Sequence, residues 1–305
     1  MEFVKDLTIE KNIKVSDLVK KLEGIGFQAS EVFKAAKIIN TMINENVKIF
    51  LTFTSNLTTS GLRSLFAQWI STGKIHAVVT TAGTVEEDIM KALGEKFYLG
   101  KFKEDDIKLH EQGLNRIGNL MISNDSYMKF EGFITPILDE IAKSNKRITV
   151  SELLWLIGEK INDENSILRQ CYLKKVPIFV PGITDGAIGF HLYLTQQKNH
   201  DFVIDVVKDF ANIMFSITED DKKGIIALGG GISKHHAILA AMISGGMDYA
   251  VYITTSKETS GSASGATTSE AKSWGKIKDD SDSVTVIGDA TIIFPLISAF
   301  VFDNL

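Results

Sequence analysis

The chain has 305 residues, 44% hydrophobic and 23% charged, with a formal net charge of −5. That is room for a sizeable core in a globular protein, and no basic surplus able to track nucleic-acid phosphates. One cysteine, Cys171, excludes an intrachain disulfide or cysteine cluster, the six histidines lack HExxH-type spacing so no metal is expected, and no apolar run could span a membrane or serve as a signal core, which points to the cytoplasm.

Residues 1–47 carry helical periodicity, with Val15, Leu18 and Leu22 on one face and Val32, Ala35, Ala36 and Ile39 on another, separated by residues 24–29 (GIGFQA). This helical segment is expected to pack on the domain that follows. Lys48–Phe53 (KIFLTF) reads as the first core strand, and residues 54–61 (TSNLTTSG) as the turn leading to a helix over 62–70. A hydroxyl- and glycine-rich turn at that place offers free backbone N–H groups to a phosphate, although an ordinary helix cap has the same composition. The pattern then repeats. Residues 76–81 (HAVVTT) read as a buried strand, 82–84 as a tight turn, and Val85 onward as a helix with Glu86, Glu87 and Asp88 in its first turn, where acids complement the helix dipole or bind a cation.

Residues 115–123 read as one strand leading into a helix, and Thr149 with Glu152 as a capping box. Residues 176–180 form a further parallel-type strand, ending in 181–186 (PGITDG); Cys171 before it is expected to be a buried, inert thiol. A helix is expected from about Asp201 to Phe215, with Val203, Val206, Val207, Phe210 and Ala211 facing inward.

Residues 224–276 concentrate the most unusual chemistry. Strands over 225–228 and 249–255 frame Gly229-Gly230-Gly231 and a helix, the βαβ pattern of a parallel sheet, whose strand ends are expected to form a site. The polar connection 256–269 is too long for a turn and closes on Ser273-Trp274-Gly275-Lys276. A lysine is nucleophilic only when unprotonated, and apolar surface such as that of Trp274 favours this form. The last strand, 283–288, ends at Asp289-Ala290 before an apolar helix over 291–301. Small, hydroxylated and acidic residues recur at these strand ends, and a parallel sheet sets such ends along one edge. A ligand with ribose and phosphate groups is therefore expected, although neither GxGxxG nor Walker spacing is present. Without repeats or a Pro-rich linker, the chain reads as one large α/β domain over 1–305, a Rossmann-like parallel sheet flanked by helices.

Seven runs resemble the deoxyhypusine synthase family: TSNLTTSGLR (54–63), TTAGTVEEDIMKAL (80–93), NRIGNLMISNDSYMKFE (115–131), VPIFVPGITDGAIG (176–189), LGGGISKHHAI (228–238), DYAVYITT (248–255) and GSASGATTSEAKSWGKI (261–277). They stand in the family's order, and the chain looks like an archaeal-type member. The resemblance implies an NAD-dependent transferase, a homotetramer with shared sites, that moves the aminobutyl group of spermidine to one lysine of the translation initiation factor 5A precursor. It gives Lys276 the enzyme-bound imine and His235 a proton-shuttle role, with Glu86, Glu87, Glu270, Trp274, Gly261 and Ser262 as further polyamine positions. For NAD it points to Ser55, Asn56, Leu57, Thr58, Thr59, Thr81, Ala82, Gly83, Glu87, Asp185, Gly230, Thr255, Ser256, Asp289 and Ala290. The dinucleotide would take a hydride from the polyamine and later return it, so the transfer involves no net oxidation.

Two positions depart from the family pattern: Phe190 and Ala263 stand where aspartates are expected to bind polyamine amines. Losing two charge-assisted bonds costs on the order of 3–6 kcal/mol. Three readings stay open at this stage: another acid compensates, Glu258 being the nearest in sequence; the donor is a different amine, such as agmatine; or the chain is a regulatory paralogue, against which Lys276, His235 and Glu270 speak. Transfer to putrescine, as in a homospermidine synthase, is the alternative within the same chemistry.

Overall fold

The computed structural model describes residues 3–305, and its contacts group the chain into two compact units. The first holds residues up to 53, 74–79 and 212–305; the second holds 54–73 and 80–211.

The first unit is built on strands β1 (Lys48–Phe53), β2 (Ile75–Val79), β3 (Lys223–Leu228), β4 (Met247–Thr254) and β5 (Ile277–Ile287), in the spatial order β5-β4-β3-β1-β2. All four pairings are parallel. Parallel strands are covered on both faces, which is why β3 reads Gly-Ile-Ile-Ala-Leu without alternation and is buried throughout. The α/β class and the parallel sheet flanked by helices agree with the sequence reading. The chain steps from β1 to β2 one way and from β3 to β5 the other, so the topological switch falls between β1 and β3, where Gly229-Gly230-Gly231 leave the sheet. Because β3, β4 and β5 follow one another in a single direction, right-handed crossovers put both of their connections on one face. One connection is the helix Gly231–Ile243; the other is the polar stretch after β4 and the short helix Thr268–Ser273.

The helices Val15–Lys21 and Gln28–Asn44 pack with the C-terminal helix Ala290–Phe302. Phe33 meets Phe300 edge to face, 5.9 Å between ring centres, and Ser16 donates to the Asp303 carboxylate at 2.7 Å.

The second unit is mainly helical. Its helices Arg63–Ser71, Ala82–Ala92 and Ile167–Lys174 meet at Asp88, which is 0% exposed. The Asp88 carboxylate accepts from Arg63 Nε at 2.5 Å, Ser166 Oγ at 2.7 Å, and the backbone N–H groups of Ile167 and Leu168 at 3.1 and 2.9 Å. Arg63 is also paired with Asp163 at 2.7 Å. The capping box is present as expected, with Thr149 and Glu152 exchanging side chain and backbone at the start of Val150–Lys160.

Several local expectations are corrected. Residues 82–84 are no turn: the helix starts at Ala82, so Glu86, Glu87 and Asp88 lie a turn deeper and are buried. Residues 54–61 are likewise helical, a short turn Ser55–Leu57 and a π-type turn Thr58–Leu62 with Gly61 at φ 110°. The single strand expected over 115–123 is an antiparallel hairpin, Leu114–Ile117 with Leu120–Ser123, because Gly118 takes φ 62° and reverses the chain. The helix expected from Asp201 starts at Val206, since Val203–Ile204 pairs as a strand with Arg147–Ile148. Finally, β5 begins at Ile277 rather than at 283.

Asp88→Ala leaves the Arg63 guanidinium buried with half its partners gone. It is expected to destabilise the protein by about 3–5 kcal/mol in urea unfolding; a loss below about 1 kcal/mol would show that the cluster contributes little.

Candidate active site

In the first unit a cleft of about 220 Å³ opens between the helix Gly231–Ile243 and residues 263–276, over Tyr252 of β4. Its lining includes Lys234, His235, Ile238, Ala263, Glu270, Trp274 and Lys276. Lys276 precedes β5, yet its amine stands 3.3 Å from Nε2 of His235, which comes from the second turn of the helix after β3. Burial first, then the charges of Lys276 and Lys234, hold the His235 imidazole below its usual range. A neutral imidazole with its Nε2 lone pair toward the amine can take a proton from it. His236 differs: burial and then His235 push it down to about 4, so it stays neutral at any working pH.

The ring of Trp274 lies 5.0 Å from Lys276 Nζ. Trp274 is itself 64% exposed, so within this chain it covers the amine on one side, a partial form of the shelter expected from sequence. Two residues escaped the sequence reading altogether: Lys234 and Tyr252, both buried in the cleft wall. The available signal was a lysine in register with the buried Ala237 and Ile238, on the inward face of its helix.

The floor of the polar connection is held rigidly. A Cβ on Gly230 would stand 2.3 Å from Cα of Ser264, and one on Gly265 would stand 2.2 Å from the Lys257 carbonyl oxygen. Thr254 Oγ1 donates to the Ser264 carbonyl at 3.2 Å. Gly261 and Ser262 are exposed and do not line the cleft, whereas Ala263 does. Glu258 sits in an exposed turn, Glu258–Ser260, away from the cleft lining, so the acid that faces the cleft is Glu270.

Gly230, Thr255-Ser256 and Asp289-Ala290 follow the carboxyl ends of three neighbouring strands, as expected. The helix after Gly230 has no side-chain cap, leaving its first N–H groups open. Asp289, in contrast, caps the last helix, accepting from the Thr291 N–H and Oγ1 at 2.8 Å each.

In the second unit the segment after Thr54 and the helix Ala82–Ala92 lie side by side. Ser55 N donates to Thr81 Oγ1 at 3.0 Å, and a Cβ on Gly83 would come within 2.9 Å of the Ser55 side chain. The helix at Ala82 has no side-chain cap; the Thr84 N–H donates to the Thr81 carbonyl at 3.0 Å, and the N–H groups of Ala82 and Gly83 are the ones able to meet an anion. Leu57, Thr58 and Thr59 are buried, Asn56 is exposed, and Thr59 donates to Glu87. Lys91 ties the same segment down through the carbonyls of Thr58 and Thr59 at 2.7 and 3.0 Å. Glu86 accepts from the Ile188 N–H at 3.1 Å. Burial drives both acids up to about 7; backbone N–H groups partly oppose it at Glu86, and Thr59 and Lys91 at Glu87. Asp185 is exposed, and its charge adds to the rise at Glu86. Phe190 lies on the helix Ala187–Lys198, 58% exposed against His191.

The sequence model of deoxyhypusine synthase matches residues 17–301. The "Probable deoxyhypusine synthase" of Sulfurisphaera tokodaii is 44% identical over 301 residues, covering 98% of this chain and 96% of that protein. The deoxyhypusine synthase of Kluyveromyces lactis is 39% identical, covering 96% and 89%. Among solved structures, the "putative deoxyhypusine synthase" of Entamoeba histolytica superposes with a TM-score of 0.72 at 27% identity, covering 98% of this chain and 97% of that one.

Glu86 and Glu87 yield a stability signature. Their folded values lie near 7, above an unfolded value near 4.5, so the folded state binds more protons in between and loses stability as pH rises through 7. The ligand-free protein is expected to melt lower at pH 8 than at pH 5, each acid contributing about 2–3 kcal/mol of the fall. Glu86→Gln keeps the acceptor for Ile188 and should flatten that fall in calorimetric melts; an unchanged slope in both Glu86→Gln and Glu87→Gln would refute the assignment.

Proposed function

The chain belongs to the deoxyhypusine synthase family, and from that premise we propose that it is a transferase moving an aminobutyl group from spermidine or a related amine to one lysine of the translation initiation factor 5A precursor, with NAD as its cofactor. The observation that carries this reading is the Lys276 amine at 3.3 Å from His235 in a cleft floored by Tyr252. Lys276 is the nucleophile that holds the carbon chain as an imine, and His235 takes and returns its proton. Glu270 is the acid of this cleft for an ammonium, while Trp274 and Ile238 offer apolar surface to a four-carbon chain.

The residues present fit a dinucleotide. Uncapped helix starts at Ala82 and after Gly230 suit pyrophosphate oxygens. In this reading Ser55 to Thr59, Thr81, Ala82, Gly83, Glu87, Asp185, Gly230, Thr255, Ser256, Asp289 and Ala290 are the residues that would hold it. When bound, the dinucleotide supplies reversible two-electron chemistry, which makes an amine carbon open to exchange at Lys276. The buried, proton-holding Glu86 and Glu87 support a cationic substrate, because an ammonium replaces the proton each acid retains without one.

The family match runs through both units, from 17 to 301, which supports reading them as one functional domain. A homotetramer with shared sites and a cytoplasmic location complete the proposal; no helix among the described residues is long and apolar enough to cross a membrane. Phe190 and Ala263 leave fewer acids for a polyamine, so weak spermidine binding, or preference for an amine with fewer charges, follows.

Incubation with NAD and spermidine, borohydride reduction and mass spectrometry should find the aminobutyl adduct on Lys276, absent in Lys276→Ala. With labelled spermidine, label should appear in the factor 5A precursor; label found only in added putrescine would replace this acceptor with a small amine. Spermidine binding at pH 7 should also release about one proton from Glu86 and Glu87 together, read by calorimetry in two buffers. Proton uptake, or none, would remove those acids from the amine site.

A further inference from the structure

The cleft wall holds a charge that the scheme above leaves unused. Lys234 is 2% exposed, yet it lines the cleft beside Lys276. Its ammonium stands 4.4 Å from the centre of the Tyr252 ring and donates to the Ala266 carbonyl at 2.8 Å. Burying a lysine forfeits hydration and rotamer freedom, and a methionine would fill the same volume at less cost. One carbonyl uses one of its three N–H bonds. The neighbouring Tyr252 hydroxyl is buried with no hydrogen-bond partner among the described residues. Lys234 in the wall and Tyr252 in the floor thus each keep proton-donor capacity unspent.

The groups that act on Lys234 are Glu270 from the helix Thr268–Ser273 and Lys276 beyond it, with His235 next along its own helix and Tyr252 beneath. Burial outweighs the pull of Glu270 and, with the Lys276 charge, brings the amine down to about 8. A group with that value holds a proton at neutral pH and still gives it up readily.

Resting on the aminobutyl-transfer reading, we propose that Lys234 is a second catalytic residue of the exchange at Lys276, the acid that protonates the departing amine of the donor and the base that later deprotonates the acceptor amine. When Lys276 adds to the oxidised donor carbon, that carbon is bonded to two nitrogens. The Lys276 nitrogen carries one proton too many, which His235 takes. The bond to the donor nitrogen breaks with its electron pair staying on that nitrogen, which receives a proton from Lys234, while the Lys276 lone pair closes the new C=N bond. In the second exchange the acceptor amine adds to this carbon and passes its extra proton to the now neutral Lys234. Lys276 leaves with the proton held by His235. Both carriers end as they began.

Two substitutions test this. Lys234→Arg keeps a charge and donors but releases no proton at working pH; Lys234→Met keeps the volume alone. Both are expected to slow borohydride-trapped adduct formation at Lys276 from spermidine by about 100-fold or more. With N-(4-aminobutyl)aniline as donor, the departing arylamine is weakly basic and needs little proton help, so the gap between wild type and each variant should shrink to a few-fold. Circular dichroism melts report folding, and if Lys234→Arg is unfolded the two-donor comparison on Lys234→Met decides. Wild-type rates in a folded Lys234→Arg would overturn the proton role and leave a fixed charge, and so would an equal loss with both donors. No adduct on wild-type Lys276 would instead sink the transfer reading on which the role rests.

Discussion

Parallel pairing of three consecutive strands is the constraint on which the cleft depends. β3, β4 and β5 lie in sequence order and in parallel register, so both connections between them return over the same face. The helix from the first and the segment from the second then stand as facing walls with Tyr252 as floor. His235 and Lys276, separated by 41 positions in the chain, meet at 3.3 Å for that reason alone. A change of strand order or of crossover hand would put the two walls on opposite faces, and no local motif could bring the imidazole back to the amine.

Within that frame, buried charge sorts into two kinds. Asp88 is wholly enclosed and every lone-pair direction is met by Arg63, Ser166 or the first turn of Ile167–Lys174. Such a group is an anchor, since a fully paired charge has no reason to exchange partners. Glu86, Glu87 and Lys234 are also buried, though less completely, and are under-partnered, and burial moves each toward its neutral form. Groups poised near neutral pH are the ones able to accept a cationic ligand or hand on a proton. The contrast separates scaffold from chemistry among residues that look alike in the sequence: Glu86, Glu87 and Asp88 are three consecutive acids on one helix.

Much of the architecture was legible in the linear chain. Continuous apolar runs marked the core strands, the hydroxyl at Thr149 and acid at Glu152 marked a helix start, and two strands around a triple glycine marked a parallel crossover. Two of the errors share a cause. Residues 54–61 and 82–84 have the composition of turns, but the same small and hydroxylated residues serve in helix starts that stay uncapped. Gly118 carried no signal apart from its permissive backbone, and it alone turns one strand into a hairpin. The sequence left Lys276 at the close of a polar connection, with the last strand read only from 283. Lys276 directly precedes β5, because that strand begins at Ile277, which pairs with Met247, and after an irregularity pairing with β4 resumes at Asp282.

The amino-acid sequence by itself determined the class of fold, the run of parallel strands, and the presence of an amine, an imidazole and an indole in a family-specific pattern. Those are local properties, written in side-chain periodicity and spacing. Only the tertiary structure decided that Lys234 and Tyr252 join them, that Ala263 rather than Gly261 or Ser262 faces the cleft, and which of three adjacent acids is an anchor. Burial and electrostatic neighbours are set by strand register and by how crossovers pack, between residues far apart in the chain, and no window of sequence contains that information.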